Sequence, residues 1–163
     1  NEITTSSSLA NAHEAGDLRK PINVSVASPG PPPVPANKTR KYSRIAGDDN
    51  VILIRLAELY LIRAEARARK AVPDLAGAQS DLNRIRNRAG LANTTAVTVQ
   101  QLIDAIEQER RIELAHEGHR FFDLRRYNKL SSAGITQAFR ALWPIPQREV
   151  LTSNGIITQN PNY

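Results

Sequence analysis

Three glutamates in the second half of the chain have a spacing that could support chemistry. Glu109, Glu113 and Glu117 lie four residues apart, so a helix would place them on one face. Paired carboxylates can act as general acid and base, and they can bind metal ions. Like charges at this spacing repel one another unless cations are close. Three interpretations are open: a solvated charged face, a partly buried Glu–Arg network, or an active site.

The apolar residues that precede the glutamates favour the network. Leu102 and Ile106 lie on the same face of the predicted helix as Glu109. The first half of this face is apolar and is expected to pack in the core, and its second half is acidic. Residues 101–130 carry six basic and six acidic side chains, enough to neutralise one another. We therefore expect a structural charge network, with these members: Glu109, Arg110, Glu113, Glu117, Arg120, Asp123 and Arg125.

Two nearby histidines raise the alternative of a metal site. Glu113 and His116 form one Glu-x-x-His pair, whereas di-iron bundles need two such pairs and two further glutamates. His116 and His119 do not have the i,i+4 spacing of zinc proteases, and Gly118 would interrupt a helix between them. The sequence has no Cys, no Gly-rich phosphate loop and no nucleophile elbow. We expect no metal, no cofactor and no enzymatic activity.

The charge balance raises the question of nucleic acid. The chain has 22 Lys and Arg against 16 Asp and Glu, a net charge of +6, and 17 of the bases are Arg. Arginine suits carboxylates and phosphates equally, and Arg84, Arg86 and Arg88 are the candidates for phosphate contacts. An acidic cluster follows them, and neither a stacking platform nor a basic stripe accompanies them. We therefore expect no nucleic-acid partner.

Helical periodicity begins near residue 49 and divides the chain. Residues 1–48 are rich in Ser and Pro and predict an irregular loop region, with the prolines of 29–35 in an extended segment. Residues 49–163 predict a helical domain, and both parts are expected to form one structural unit. No strand alternation is long enough for a sheet, so the fold class is all-α. No apolar run approaches the length of a membrane-spanning helix.

Two helices are predicted to form a hairpin ahead of the glutamates. The first runs about 20 residues from Asp49, Pro73 ends it, Asp74 caps the second helix, and Gly90 follows the last turn of that second helix. The short connection makes the two helices antiparallel neighbours. The first helix is expected to present one wide apolar face made of two adjacent stripes: Ile52, Leu56, Leu59, Ile62 and Ala66, and Leu53, Ala57, Tyr60, Ala64 and Ala68. The small alanines at 57, 64 and 68 are expected to permit close approach of another helix.

The third helix, which carries the glutamates, has a clear start signal. Thr98 and Gln101 form a capping box, and the helix is expected to run to Glu117, with Gly118 stopping it. A shorter helix is expected over about 119–127, a loop over 131–138 and an extended segment over 139–146.

Four stretches of sequence occur together in a fixed order. They are IRLAELYLIRAEA at 54–66, LNRIRNRAGL at 82–91, ERRIELAHEGHRFFDLR at 109–125, and the ending WPIP at 143–146 with QNPNY at 159–163. Together they resemble the SusD/RagB-like family of Bacteroidetes surface lipoproteins. Residues 16–19 and 41–42 also resemble that family, whereas the Pro-containing insert between them does not. The chain is similar to the C-terminal portion of a family member.

The resemblance implies a fold and a function. The family fold is helical, with tetratricopeptide-like helix hairpins and long irregular loops. Its members bind glycans or other nutrients without cleaving them, and they cap a SusC-like TonB-dependent transporter. The resemblance therefore implies a nutrient-binding component at the cell-surface face of the outer membrane, associated with the membrane only through a lipid anchor outside this chain. The chain itself would act mainly as helical scaffold, with an oligosaccharide or other nutrient as ligand.

Sugar binding needs exposed aromatic rings beside polar groups, and the chain offers few. It has one Trp, three Phe and four Tyr. Trp143 precedes Pro-Ile-Pro, where the family places an apolar packing residue, so we interpret Trp143 as core, together with Phe121, Phe122 and Tyr127. Residues 20–40 and Tyr42 are expected to contribute to a binding rim. Tyr42 and Trp143 are the two candidate ligand contacts.

A tetratricopeptide-like adaptor that binds peptides is the alternative function. It would share the helix hairpins, but a groove needs about three repeats, and the sequence shows one good pair. The two functions differ in what they bind, a sugar or a peptide.

Overall fold

The structure is a computed structural model, and it describes residues 4–29, 36–42, 44 and 47–163. None of these residues lies in a strand, although an isolated bridge joins Thr4 and Lys38. The all-α prediction is confirmed. Seven α-helices are described: α1 (Ser7–Ala10), α2 (Lys20–Asn23), α3 (Leu56–Ala68), α4 (Leu75–Arg88), α5 (Val99–Glu113), α6 (Arg120–Arg126) and α7 (Gln147–Thr152).

The chain divides into two compact units, residues 1–120 and residues 121–163. The region expected to be irregular, 1–48, contains the short helices α1 and α2. Residues 30–35 and the prediction made for their prolines lie outside the described residues. No helix in the described part is both long and apolar enough to cross a bilayer.

Helices α3, α4 and α5 pack against one another and form the core of the first unit. The predicted pair of α3 and α4 is therefore present. The largest fully buried side chains of the three-helix core come from all three helices and include Leu61, Leu82, Leu102, Ile106 and Ile112.

Only part of the wide apolar face predicted for α3 is buried. Leu56, Leu59 and Ile62 are 67%, 51% and 48% exposed, so the prediction that their stripe is buried is wrong. The core side of α3 consists largely of small residues, Ala57, Leu61, Ala64 and Ala68, and the burial predicted for the three alanines is confirmed. This helix is apolar on two faces, and its alanine face allows the closer approach to α4 and α5. The helix also begins later than predicted, at Leu56.

The predicted boundaries of α4 are confirmed. The Asp74 carboxylate accepts a hydrogen bond of 2.9 Å from the Gly77 backbone nitrogen at the start of the helix. Gly90 follows the end with φ +78°, a conformation that suits glycine. A Cβ atom on Gly90 would lie 3.1 Å from a methyl carbon of Leu18. The glycine therefore ends the helix and lets an N-terminal segment pack closely.

Helix α5 begins as predicted and ends earlier. The capping box of Thr98 and Gln101 is present, but the last helical residue is Glu113. Instead of continuing the helix, the carbonyls of Glu113 and Ala115 accept hydrogen bonds of 2.9 and 2.8 Å from the Lys41 Nζ. His116 then adopts φ +65°. Glu117 lies in this turn, so the prediction of three glutamates on one helix is wrong.

The second unit contains most of α6, two 3₁₀ helices (Leu130–Ala133 and Ala138–Ala141) and α7. Both 3₁₀ helices lie where a loop or extended chain was predicted. The tail of the chain binds the backbone of residues 142–145. Gln159 bonds both the nitrogen and the carbonyl of Ile145, at 2.7 and 2.8 Å, and the Tyr163 hydroxyl donates to the Leu142 carbonyl at 2.8 Å.

Candidate functional site

The glutamates of α5 and the following turn lie in a cluster of ion pairs in the first unit. We call it the charge cluster. Its acids are Asp17, Glu109, Glu113 and Glu117, and its bases are Arg19, Lys41, Arg55, Arg86 and Arg88.

Arg19 is the most deeply buried base of the charge cluster, 8% exposed. Its Nε and Nη2 donate to the two oxygens of Asp17, at 2.9 and 2.8 Å. Its Nη1 donates to Glu109 at 2.5 Å and to Glu113 at 3.0 Å. Such a fork-to-carboxylate pair is a strong and directional contact. Arg19 therefore joins the segment ahead of α2 to helix α5.

Arg55 and Lys41 neutralise the end of α5. Arg55 donates from Nε to Glu117 at 2.8 Å, and its two Nη groups contact the carboxylate and the carbonyl of Glu113. The Lys41 Nζ donates to Glu117 at 2.5 Å. Because the same two cations also bond backbone carbonyls, they fix the turn as well as its charge.

Helix α4 supplies the last two bases. Arg86 donates to Glu109 at 3.3 Å and forms a two-point contact with Glu14, at 2.7 and 3.0 Å. The Arg88 guanidinium contacts the Glu113 carboxylate. These two arginines, two residues apart on α4, therefore face two different glutamates of α5.

The electrostatics of the charge cluster keep Glu113 ionised. Burial would raise its pKa, but hydrogen bonds from Arg55 and Arg88 and their charges outweigh burial and lower the pKa to about 2. At Glu109 burial prevails and raises the pKa, although Arg19 and Arg86 oppose it. For Arg19, the bonds to Asp17 and Glu109 outweigh burial and raise the pKa.

Four residues expected in the network do not take part in the charge cluster. Arg110 is buried with its Nη2 4.0 Å from Glu58, because adjacent helical residues point about 100° apart. The other three are placed as follows: Arg120 donates to Glu107 at 3.1 Å, Asp123 accepts from Arg126 at 2.9 Å, and Arg125 is an exposed residue of α6.

A cavity of about 380 Å³ lies beside the charge cluster. Its apolar lining includes Leu18, Ile22 and Ile52, and its charged lining comes from the cluster. Arg19, Lys41 and Arg55 direct their donors at cluster carboxylates and carbonyls. Across the described residues, no three His, Asp or Glu side chains converge as a metal-binding set. The arrangement suits rigid packing of helices.

The cations with the most contacts to these glutamates are not among the residues predicted for the network. Arg19, Lys41 and Arg55 lie 58 to 94 residues from the glutamates that they bind. One signal was available in the sequence. Arg19, Lys41 and Arg55 lie within residues 16–19, 41–42 and 54–66, which resemble the SusD/RagB-like family.

The second unit presents an aromatic surface, which we define as Phe121, Phe139, Trp143 and Tyr163. Trp143 is 65% exposed, so its interpretation as core is wrong, and Phe122, 58% exposed, is not core either. Gln159, Asn160 and Tyr163 bond the backbone around Trp143 and hold it within the second unit. The ring centroids of Phe121 and Trp143 are 5.5 Å apart, and those of Phe139 and Tyr163 are 5.1 Å apart.

The other candidate contact, Tyr42, is half-buried. It lines neither the cavity beside the charge cluster nor the cavity beside Trp143. Of the expected rim, residues 20–29 and 36–40 are described, whereas 30–35 lie outside the described residues.

Comparison with known proteins identifies relatives of this fold. The SusD family model, SusD_RagB, matches residues 33–141. A SusD-like protein of Formosa agariphila is 33% identical over 130 residues, which are 71% of this chain and 25% of that protein. The chain therefore spans about a quarter of that relative's length.

Solved structures agree with this assignment. A SusD-like carbohydrate binding protein from Bacteroides vulgatus is 28% identical with a TM-score of 0.59, over 75% of this chain and 27% of that one. A SusD superfamily protein from Parabacteroides distasonis, 21% identical, shares the fold with a TM-score of 0.77 over 98% of this chain and 42% of that one. The fold is thus all-α and tetratricopeptide-like, and the chain belongs to the SusD family.

Proposed function

We propose that this chain is part of a non-catalytic nutrient-binding component of a SusC/SusD-like outer-membrane uptake system, with residues 1–120 acting mainly as helical scaffold. Membership of the SusD family supports a surface nutrient-binding role. The carbohydrate-binding relative from Bacteroides vulgatus, 28% identical, supports a glycan as the nutrient. The observation that carries the scaffold role is the charge cluster, in which every carboxylate is paired with a guanidinium or ammonium group.

The charge cluster also supports the non-catalytic part of the proposal. Glycoside hydrolysis uses two carboxyl groups, one of which donates a proton while the other attacks or activates water. Glu109, Glu113 and Glu117 instead accept hydrogen bonds from Arg19, Arg55, Arg86, Arg88 and Lys41. Arg55 and Arg88 lower the pKa of Glu113 and hold this carboxylate ionised, which makes it a poor proton donor.

The remaining parts of the proposal follow from the family. The partner is a SusC-like TonB-dependent transporter, and the ligand is an oligosaccharide. The location is the cell-surface face of the outer membrane, with attachment through a lipid anchor.

The test combines binding and hydrolysis on the same sugars. The chain is titrated calorimetrically with cellohexaose and maltohexaose, and the mixtures are then assayed for new reducing ends. The expected result is heat of binding with no new reducing ends. Reducing ends that form with the chain and disappear with Glu113→Gln would overturn the non-catalytic proposal.

A further inference from the structure

The exposed indole of Trp143 rests on a fixed backbone. The Asn160 Nδ2 donates to the Trp143 carbonyl at 2.6 Å. On either side, the Leu142 carbonyl and the Ile145 backbone are bonded by Tyr163 and Gln159. Binding to a ring that is already held in place loses less conformational entropy than binding to a mobile one. Trp143 is therefore an exposed aromatic side chain on a backbone that hydrogen bonds already hold in place.

A cavity of about 550 Å³ lies beside this ring, within the second unit. Phe121, Phe139 and Tyr163 line it together with Trp143, and Arg140 stands at its edge. Its volume is within the range of small-molecule sites, which combine apolar walls with a few polar groups. One pyranose unit is well within this size.

The polar groups around the cavity match a sugar. The Tyr163 hydroxyl donates to the Leu142 carbonyl, so its oxygen is left to accept a hydrogen bond. Arg140 lies with its guanidinium carbon 5.8 Å from the Phe139 ring centre, and no carboxylate among the described residues pairs with it. The indole N–H of Trp143 is a third group, a donor only. One acceptor and two donors surround the rings.

The aromatic rings suit the C–H faces of a pyranose. A ring face carries the negative part of the aromatic quadrupole, whereas the C–H groups of a sugar face are weakly positive and its hydroxyls project from the edge. Stacking a sugar on Trp143 would cover the apolar area and leave the hydroxyls to Arg140 and Tyr163. A purely apolar partner would offer no hydrogen bond to the Arg140 guanidinium or to the accepting lone pair of the Tyr163 hydroxyl.

We propose that the aromatic surface binds one pyranose unit of an oligosaccharide, stacked on Trp143 with its hydroxyls bonded by Arg140 and Tyr163. This inference rests on the proposed glycan-binding function and adds a site to it. It also means that residues 121–163 contribute ligand contacts, while residues 1–120 provide the scaffold.

The experiment uses the fact that Trp143 is the one Trp of the chain, so tryptophan emission reports on this surface alone. Cellohexaose and maltohexaose are titrated into the whole chain up to millimolar concentrations, with emission and heat recorded in parallel. A saturable change in emission is expected at the same sugar concentrations as the heat. Trp143→Ala is expected to weaken the calorimetric affinity at least about tenfold, as loss of an aromatic stacking partner does.

Two further variants keep the result interpretable. Trp143→Phe retains an aromatic ring and is expected to keep most of the affinity of the parent chain. It therefore tests the site even if Trp143→Ala disturbs folding. Phe122→Ala removes an exposed aromatic side chain of the same unit that does not line the cavity, so it is expected to leave the affinity unchanged. Circular dichroism of each variant checks the fold.

Four outcomes overturn the inference. Heat without an emission change, or unchanged affinity in Trp143→Ala, would place the sugar elsewhere and leave the proposed function standing. Equal losses in Trp143→Ala and Phe122→Ala would indicate a structural effect and not a site. Neither heat nor emission change with either sugar would contradict both this site and glycan binding by the chain.

Discussion

At the scale of single residues, Glu113 holds three parts of the first unit together. Its carboxylate contacts Arg19 ahead of α2, Arg55 ahead of α3 and Arg88 on α4, while its own side chain is almost fully buried. Its pKa is lowered to about 2, below the ordinary 4.5 of the unfolded chain. Its stabilising contribution is therefore present above the ordinary value and is lost as the pH falls towards 2.

Removing this carboxylate takes away one ion pair each from the buried Arg19, from Arg55 and from Arg88. We expect Glu113→Ala to lower the free energy of unfolding by about 3–5 kcal/mol, measured by urea denaturation near neutral pH. Glu149→Ala, which removes an exposed glutamate from α7, is the matched control and should change stability by less than about 0.5 kcal/mol. A similarly small effect for Glu113→Ala would contradict a structural role for the charge cluster.

His13 is a second residue whose protonation state the fold selects. Its Nδ1 lies 3.0 Å from the Leu9 carbonyl oxygen, which can only accept, so Nδ1 carries the proton. Its Nε2 lies 3.1 Å from the Asn23 Nδ2 and therefore accepts. That same Nδ2 donates to the Ile112 carbonyl at 2.9 Å. Neutral His13 satisfies these contacts, whereas a second proton on Nε2 would face the Asn23 Nδ2, which is itself a donor.

This geometry gives stability a defined pH dependence. Burial lowers the pKa of His13, more than the charge of Asp17 raises it, and burial lowers that of His116 as well. Unfolding therefore takes up protons below the ordinary value of 6.5. Stability should be full above that pH and fall on acidification, by up to about 1.4 kcal/mol per pH unit for each histidine.

The measurement is urea unfolding at several pH values between about 7 and 5. His13→Gln removes one titrating group, so its stability should fall less steeply than that of the parent chain, with His116 supplying the remaining slope. A parent chain whose stability is constant or rises over this range would contradict the assignment of neutral histidines.

At the scale of elements, α3 has two apolar faces, and only one of them packs in the core. The face with Ala57, Ala64 and Ala68 packs inward, and the face with Leu56 and Leu59 stays exposed. Burial of large side chains would remove more apolar area from water, but close contact of three helices requires small residues where they meet. Packing distance therefore decided the orientation.

A pair of opposite substitutions tests this orientation. Ala64 is fully buried, so Ala64→Leu should overpack the interface and lower stability by about 1–3 kcal/mol. Leu56→Ala removes an exposed side chain and should cost less than about 1 kcal/mol. Urea denaturation of both variants gives the comparison. The reverse order of the two losses would mean that the face with Leu56 and Leu59 packs in the core.

At the scale of the whole molecule, the net charge of +6 raises the question whether Arg84, Arg86 and Arg88 are free to bind phosphate. Arg86 is bonded to Glu14 and Glu109, and Arg88 contacts Glu113. The Arg84 guanidinium carbon lies 5.5 Å from the centre of the Tyr60 ring. The arginines singled out for phosphate contacts therefore have partners inside the chain.

We accordingly expect no retardation of duplex DNA in a gel-shift assay at about 50 or 200 mM salt. Binding that is strong at the lower salt and falls steeply at the higher salt would contradict this, since release of condensed counterions produces that dependence. Arg84→Ala would then show whether the exposed arginine of α4 takes part.

The parts of the fold that could be predicted are those that nearby residues decide. The capping box of Thr98 and Gln101, the cap at Asp74 and the left-handed Gly90 each depend on hydrogen bonds or backbone angles within a few residues. The all-α class depends on periodicity, which is also local. The inward-facing stripe of α5 changes from apolar to acidic residues. This pattern predicted that Glu109 and Glu113 face inward, and both are buried.

Tertiary structure decided the rest, because the determining contacts join residues far apart in sequence. Arg19 reaches Glu109 across 90 residues and Glu113 across 94, and no local pattern selects it over the nearer Arg110. The early end of α5 depends on Lys41 and Arg55, and the exposure of Trp143 depends on the tail that holds its backbone. Sequence alone thus determined where helices begin and which class they form, whereas pairing of charges and choice of buried faces arose only when distant segments met.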